Sequence, residues 1–265
     1  MLARSPLVMV LSQIRFPMEA ISLKPSNSAN IDIAMNAAGF PLTASGSSAP
    51  IDFGVAGTLQ LPGHPDSRVY STTDLRFSAT VNPGFLSVYC VDKGKGIPYP
   101  GHRDFIEKIC DAVCALEPVV GGVPVARIGY RYVDALEIED ALDVLKPPFR
   151  GFVAPSDVKG VGLPVVSTTV EGFFSCEDGD TVLGSQPPEE GIHVTCGTVP
   201  PGTIVDPAVP AKPESRWIVD IDAYSTGSFA FSEGAVREKA CFLANSSREL
   251  FYGHIVTADF GARFD

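Results

Sequence analysis

The sequence predicts an α+β fold built from two antiparallel-sheet halves, each run of strands being closed by a helix. Three observations lead there. Several short runs alternate apolar and polar residues with the period of two expected of strands. Two longer stretches, 103–116 and 233–252, carry apolar residues at helical spacing. Each of those stretches follows a run of strands, an order that favours antiparallel sheets with helices packed on them. The 265 residues, 45% of them apolar, suffice for one large domain or two smaller ones. An N-terminal half (1–146) and a C-terminal half (147–265) are expected to pack together. A degenerate duplication would explain the recurring order, although no residue-level repeat proves it. The 25 glycines and 23 prolines punctuate the chain with turns, which excludes coiled coils and long helical bundles; the apolar content excludes wholesale disorder.

Residues 7–16 open the fold. Val8, Val10, Ile14 and Phe16 share one face and Leu7, Met9, Leu11, Gln13 and Arg15 the other, so a mostly buried strand is predicted, ended by Pro17. Residues 27–38 place Ile31, Ala34, Met35 and Ala38 at helical spacing, with Gly39 just past the end and Pro41 beyond, as a short helix requires. From 41 to 65 the composition turns to Gly, Ser, Ala and Pro, a loop or flap. A hairpin follows: Leu75, Phe77, Ala79 and Val81 alternate, Asn82-Pro83-Gly84 turns, and 85–91 returns. After a Gly/Pro loop at 93–101, the helix at 103–116 aligns Phe105, Ile106, Ile109, Cys110, Val113 and Leu116, and Pro118 is expected to stop it.

Residues 123–136 read as a long strand and 137–164, with Pro147, Pro148 and Pro155, as a connector. Strands are then expected at 165–176, 181–186 and 191–199, with 177–180 as a turn and a Pro-rich loop reaching Pro213. Residues 216–225 set Trp217, Val219, Ile221 and Ala223 against Ile218, Asp220, Asp222 and Tyr224, a half-exposed strand. The last helix carries Val236, Ala240, Leu243, Ser247, Leu250, Phe251 and His254 on one stripe.

Charged residues are only 19% of the chain, and the formal net charge is −11. So acidic a chain repels a phosphate backbone unless its basic residues cluster, so nucleic acid is not an expected partner. No window reaches the run of about eighteen apolar residues that a membrane helix needs. The apolar run at 7–11 is too short for a secretory signal and no A-x-A site follows it; no membrane association and a cytoplasmic location are expected. The six cysteines include no C-x-x-C pair and are read as reduced core thiols.

Several motifs, in order, resemble a patchily distributed family of uncharacterised bacterial proteins of similar length. They are the opening strand Ser5-Pro6-Leu7-Val8-Met9-Val10-Leu11-Ser12-Gln13-Ile14-Arg15-Phe16, Gly39-Phe40-Pro41, Tyr99 ahead of Asp104-Phe105, Arg127-Ile128-Gly129-Tyr130-Arg131-Tyr132-Val133, and Asp220-Ile221-Asp222. The chain departs from that pattern at Tyr130, where the family usually has Leu, and at Asp134, where Asn-Arg is common. The resemblance implies a shared fold and no established reaction. The family's patchy distribution suggests genes that travel between genomes, such as defence or toxin-control accessories.

No catalytic constellation is recognisable. G-x-S-x-G is absent, and His64, His102, His193 and His254 stand in no nucleophile frame; no catalytic residue is assigned. His193 and Cys196, three apart on a strand, point to opposite faces and cannot share a metal; no metal and no cofactor are expected. Lys93-Gly94-Lys95-Gly96 lacks the third glycine of a nucleotide motif, and Glu177-Asp178-Gly179-Asp180 lacks the distant glutamate of a calcium loop; both read as turns. Asp220 and Asp222 share a strand face, as Arg127 and Arg131 do on theirs, with Arg15 on the first strand. A structural ion-pair layer among them is favoured over an active site. Arg15, Arg127, Tyr130, Arg131, Asp220 and Asp222 are the candidate binding residues. The leading functional expectation is a non-catalytic protein-binding accessory, of a chaperone, antitoxin or defence-associated kind, acting through its sheet face or an apolar groove. A hydrolase using Asp220 and Asp222 and a structural homo-oligomer are the alternatives, so the expected partner is a protein or a second copy of the chain.

Overall fold

The computed structural model describes residues 6–45, 67–91, 99–150, 168–176, 188–206, 209 and 211–261. Among the described residues nine strands form one antiparallel sheet: Leu7–Arg15 (β1), Leu42–Ser45 (β2), Arg68–Ser71 (β3), Phe77–Asn82 (β4), Phe85–Val91 (β5), Val125–Leu136 (β6), Thr169–Ser175 (β7), Glu190–Val199 (β8) and Arg216–Phe229 (β9). Their order across the sheet is β2-β3-β4-β5-β1-β6-β9-β8-β7. The α+β class therefore stands, with the two expected halves contributing to one continuous sheet. Within the expected N-terminal half β1 pairs with both β5 and β6, and the β6–β9 pairing joins that half to the strands β7–β9 of the C-terminal half.

Among the described residues three helices cover one face, Pro25–Ala37 (α1), His102–Val120 (α2) and Glu233–Leu250 (α4), while the short Ile138–Val144 (α3) follows β6 and Ala258–Gly261 (α5) is the last described element. The period of two sorts the strand residues. Val10 and Ile14 of β1, Ile128 and Tyr130 of β6, and Val219 and Ile221 of β9 enter one core with Ile31 and Met35 of α1, Ile109 and Val113 of α2, and Ala240 and Leu243 of α4. Burying each of these large side chains contributes about 1.5–3 kcal/mol of transfer free energy. The opposite, outer face holds a smaller apolar cluster of Met9, Leu11, Val91, Val133 and Ile218, against which Val205 and Val209 of the β8–β9 connection pack. This explains a departure from the sequence reading. β9 is not half-exposed, because that connection crosses its second face and leaves Ile218 buried.

Other expectations shift for local reasons. α2 runs through Pro118 and ends at Gly121, which has φ +66°. Proline in a last turn removes a single hydrogen bond, and the extension buries Val120; the left-handed glycine is the actual stop. α4 ends at Leu250 and passes into a π-type turn, Phe251–Ile255. That wider turn rotates the register, so His254 is exposed while Ile255 and Val256 enter the core. The connector at 137–164 contains α3 and a 3-10 turn, Pro147–Phe149. The expected 181–186 strand, both glycine-containing turns (93–96 and 177–180) and most of the 41–65 loop lie outside the described residues. No disulfide links the six cysteines, all of which are described: Cys90, Cys110 and Cys196 are buried, Cys176 and Cys241 half-buried, and Cys114 exposed.

Candidate functional site

The outer face collects five of the six candidate binding residues, because their positions share strand parity. Gln13 and Arg15 of β1 lie opposite Gly129 and Arg127 of β6; Arg131 lies opposite Asp222, and Val133 opposite Asp220, on β9; and Asp222 in turn faces His193 on β8. The ion pairs run diagonally across this register. Arg131 bonds Asp220 through both Nε (2.8 Å) and Nη2 (2.6 Å), and its Nη1 reaches Asp206 of the β8–β9 connection at 3.3 Å. Arg127 bonds Asp222 through Nη2 at 2.8 Å. The ion-pair layer read from the sequence is thus present, and it also anchors the connection that covers β9.

Gly129 makes the diagonal reach possible. The Arg127 side chain runs along its own strand across Gly129, where a Cβ would stand 2.8 Å from Arg127 Nη1 and 3.2 Å from Asp222 Oδ1. Those two atoms, one donor and one acceptor, are buried without a hydrogen-bond partner. The Arg127 guanidinium also lies 5.2 Å from the Tyr224 ring centroid, within cation–π range. Arg15 and Arg127 are directly opposed like charges. Burial lowers the Arg15 pKa from its ordinary value, Arg127 adds to the lowering, and Asp222 partly offsets both. Arg15 Nε donates to Gln13 Oε1, and Gln13 Nε2 donates to Ser87 Oγ at 3.0 Å. For Arg131, burial opposes the charge, but Asp220 and then Asp206 outweigh it and hold the guanidinium above its ordinary value.

The array ends in an aromatic. His193 Nε2 lies 2.7 Å from Glu171 Oε1, and Phe173 of edge strand β7 stacks on the imidazole at 4.4 Å while remaining exposed. His193 and Cys196 do fall on opposite faces, the thiol in the helix-side core. Among the described residues no group of three or more His, Cys, Asp or Glu side chains could hold a metal ion.

Tyr130 does not belong to this array. It lies on the helix face, fully buried, edge-on to Phe105 at 5.5 Å and with its hydroxyl 3.5 Å from that of Tyr99. Sequence reasoning missed Asp206, Gly129, Glu171 and the place of His193. A glycine inside a strand pattern signals close approach of another group, so Gly129 was detectable; Asp206, in a Pro-rich loop, carried no local signal. On the helix side, a cavity of about 840 Å³ lies between the edge strands and α4, lined by Phe149, Val170, Phe174, Ile192, Val194 and Phe242 among others. No described helix is long and apolar enough to cross a membrane. Comparison with known proteins finds no matching family model and no matching curated protein.

Proposed function

We propose that the protein belongs to the patchily distributed bacterial family that its motifs resemble and acts in the cytoplasm as a non-catalytic binding accessory, docking a partner protein on the outer sheet face. The observation that carries this reading is the commitment of both aspartates to arginines: Arg131 holds Asp220 bidentately, and Arg127 bonds one oxygen of Asp222. With both its oxygens held by Arg131, Asp220 is a poor general base, which takes from a two-carboxylate hydrolase one of the groups it would need. What the lattice offers instead is a rigid charged strip, Arg15–Arg127–Asp222, continued by His193 and the exposed Phe173. Arginine and aromatic side chains are the groups that dominate protein interfaces.

The test is affinity capture of the tagged full-length chain from native lysate at moderate salt, run in parallel with Arg127→Glu and Phe173→Ser variants whose folding is checked by circular dichroism. A stoichiometric protein that co-elutes with the wild type and is lost from both variants supports the reading. A partner retained equally by all three, or no partner at all, overturns it.

A further inference from the structure

The sheet is open, and its two edges differ. β2 ends one side with only four residues, a short edge of the kind that resists further pairing. β7 ends the other with seven, Thr169-Val170-Glu171-Gly172-Phe173-Phe174-Ser175. It pairs with β8 in unbroken antiparallel register, and among the described residues no strand lies on its other side. Edge strands are ordinarily protected by a bulge, a proline, a lysine or a covering element. β7 has no bulge, no proline and no lysine, and its single charge, Glu171, is engaged by His193.

The hydrogen bonds at the two ends of β7 fix which backbone groups point outward. Thr198 N–H donates to the Thr168 carbonyl, and Cys176 N–H to the Glu190 carbonyl. Direction alternates along an antiparallel strand, so the even-numbered residues of β7 face β8. Thr169, Glu171 and Phe173 therefore aim their N–H and C=O groups away from the sheet. The side chains along this edge are largely apolar. Phe173 is 43% exposed, as is Phe242 of α4 at 37%. Val170 and Phe174, half-buried on the helix side, line the cavity of about 840 Å³ together with Phe242.

We propose that β7 pairs antiparallel with β7 of a second copy about a two-fold axis at Gly172, joining two sheets into one. The strand is self-complementary in that register. Each Glu171 lies opposite Phe173 of the second copy, and the outward N–H and C=O groups of the two residues exchange both backbone bonds. A two-fold axis at Glu171 instead would set the two carboxylates directly opposite, which like charges disfavour. On the helix side Val170 meets Phe174 of the second copy, so the apolar lining of the cavity continues across the axis. At the axis the two Gly172 residues face each other in the closer, non-hydrogen-bonded kind of pair. A contact of this kind is isologous and closes at a dimer. It goes beyond the docking reading and does not depend on it: Phe173 stays on the outer face, and the chain alone gives the readout.

Light scattering coupled to size exclusion, on the purified full chain from micromolar to about millimolar concentration, tests the pairing. A mass of twice 28.1 kDa is expected at the upper end. Glu171→Pro removes an N–H that points away from β8, so the chain should still fold, as circular dichroism checks, while dimerisation weakens about tenfold or more. Gly172→Cys adds a Cβ that meets only the Phe174 ring, at 3.4 Å. Under mild oxidation it should crosslink to itself across the axis, because the Cα atoms of such a pair stand about 4.5 Å apart, within disulfide reach. Peptide mapping locates the link, and this second variant decides the matter if the proline variant unfolds. A monomer at every concentration, which leaves the edge to an unrelated strand, overturns the proposal. So does a dimer unchanged in a folded Glu171→Pro variant, or an oxidised Gly172→Cys dimer without a link between the two copies of position 172.

Discussion

Asp134 is the most consequential buried charge in the molecule. It sits on the helix face of β6, opposite Val219, is 6% exposed, and has no cation paired with it among the described residues. Burial, helped by the negative charge of Asp220, raises its pKa from 3.8 to about 7. The folded protein therefore holds this proton to near neutrality, while the unfolded chain releases it near pH 4. Between those limits the native state binds more protons, so the contribution is whole below about pH 4 and is lost as pH rises through about 7. A shift of about three units at 1.36 kcal/mol each gives up to ~4 kcal/mol. Asp134→Asn keeps the shape and cannot ionise. In urea denaturation the variant should exceed the wild type in stability by up to ~4 kcal/mol at pH 8, the gap closing to under ~1 kcal/mol at pH 4. The difference between the two proteins isolates Asp134 from other titrating groups. A gap that does not vary with pH, or a variant less stable than the wild type at pH 8, would refute the reasoning.

The outer-face lattice makes its own demands. Arg131→Met strands Asp206, which is 1% exposed, together with Asp220, and should cost about 3–5 kcal/mol in denaturant unfolding. Arg127→Met, at a more exposed pair, should cost about 1 kcal/mol or less; equal losses would show that burial does not set the difference. Gly129→Ala places a methyl where the Arg127 guanidinium passes, so it should lower stability by about 1 kcal/mol despite alanine's advantage in a strand, and a raised unfolding midpoint would contradict the packing. Maleimide labelling of the native protein should reach Cys114 first. Cys110 and Cys196, whose thiols burial pushes up to about 12, should react only on unfolding, as peptide mass mapping would show.

Much of the sheet was legible because strand faces are a local, period-two property. The alternation at 7–16 places Arg15 and Gln13 away from Val10 and Ile14, and the same parity places Arg127 and Arg131 together. That parity also sets Tyr130, between them in sequence, on the other face; grouping it with the arginines followed the motif and not the pleat. The strand order is set by pairings between residues far apart in the chain, such as Arg15 with Arg127, and no local pattern encodes those. Asp206 was invisible for a related reason, since a loop residue acquires its role only where the loop crosses another strand. The stop of α2 was misplaced because a proline in a last turn costs little, whereas the glycines at 121 and 122 were overlooked. Of the candidate site, the charged residues were readable and their diagonal pairing was not, because it depends on Gly129 clearing a path for a side chain.

The most direct test of the proposed docking face is the affinity of the captured partner, purified, for the wild type, for Arg127→Glu with Phe173→Ser, and for Arg237→Gln on the helix side. Binding should fall at least tenfold, about 1.4 kcal/mol or more, in the outer-face variant and stay unchanged in the helix-side variant. Full affinity in the outer-face variant, with loss in Arg237→Gln, would place the interface on the helices and contradict the proposal.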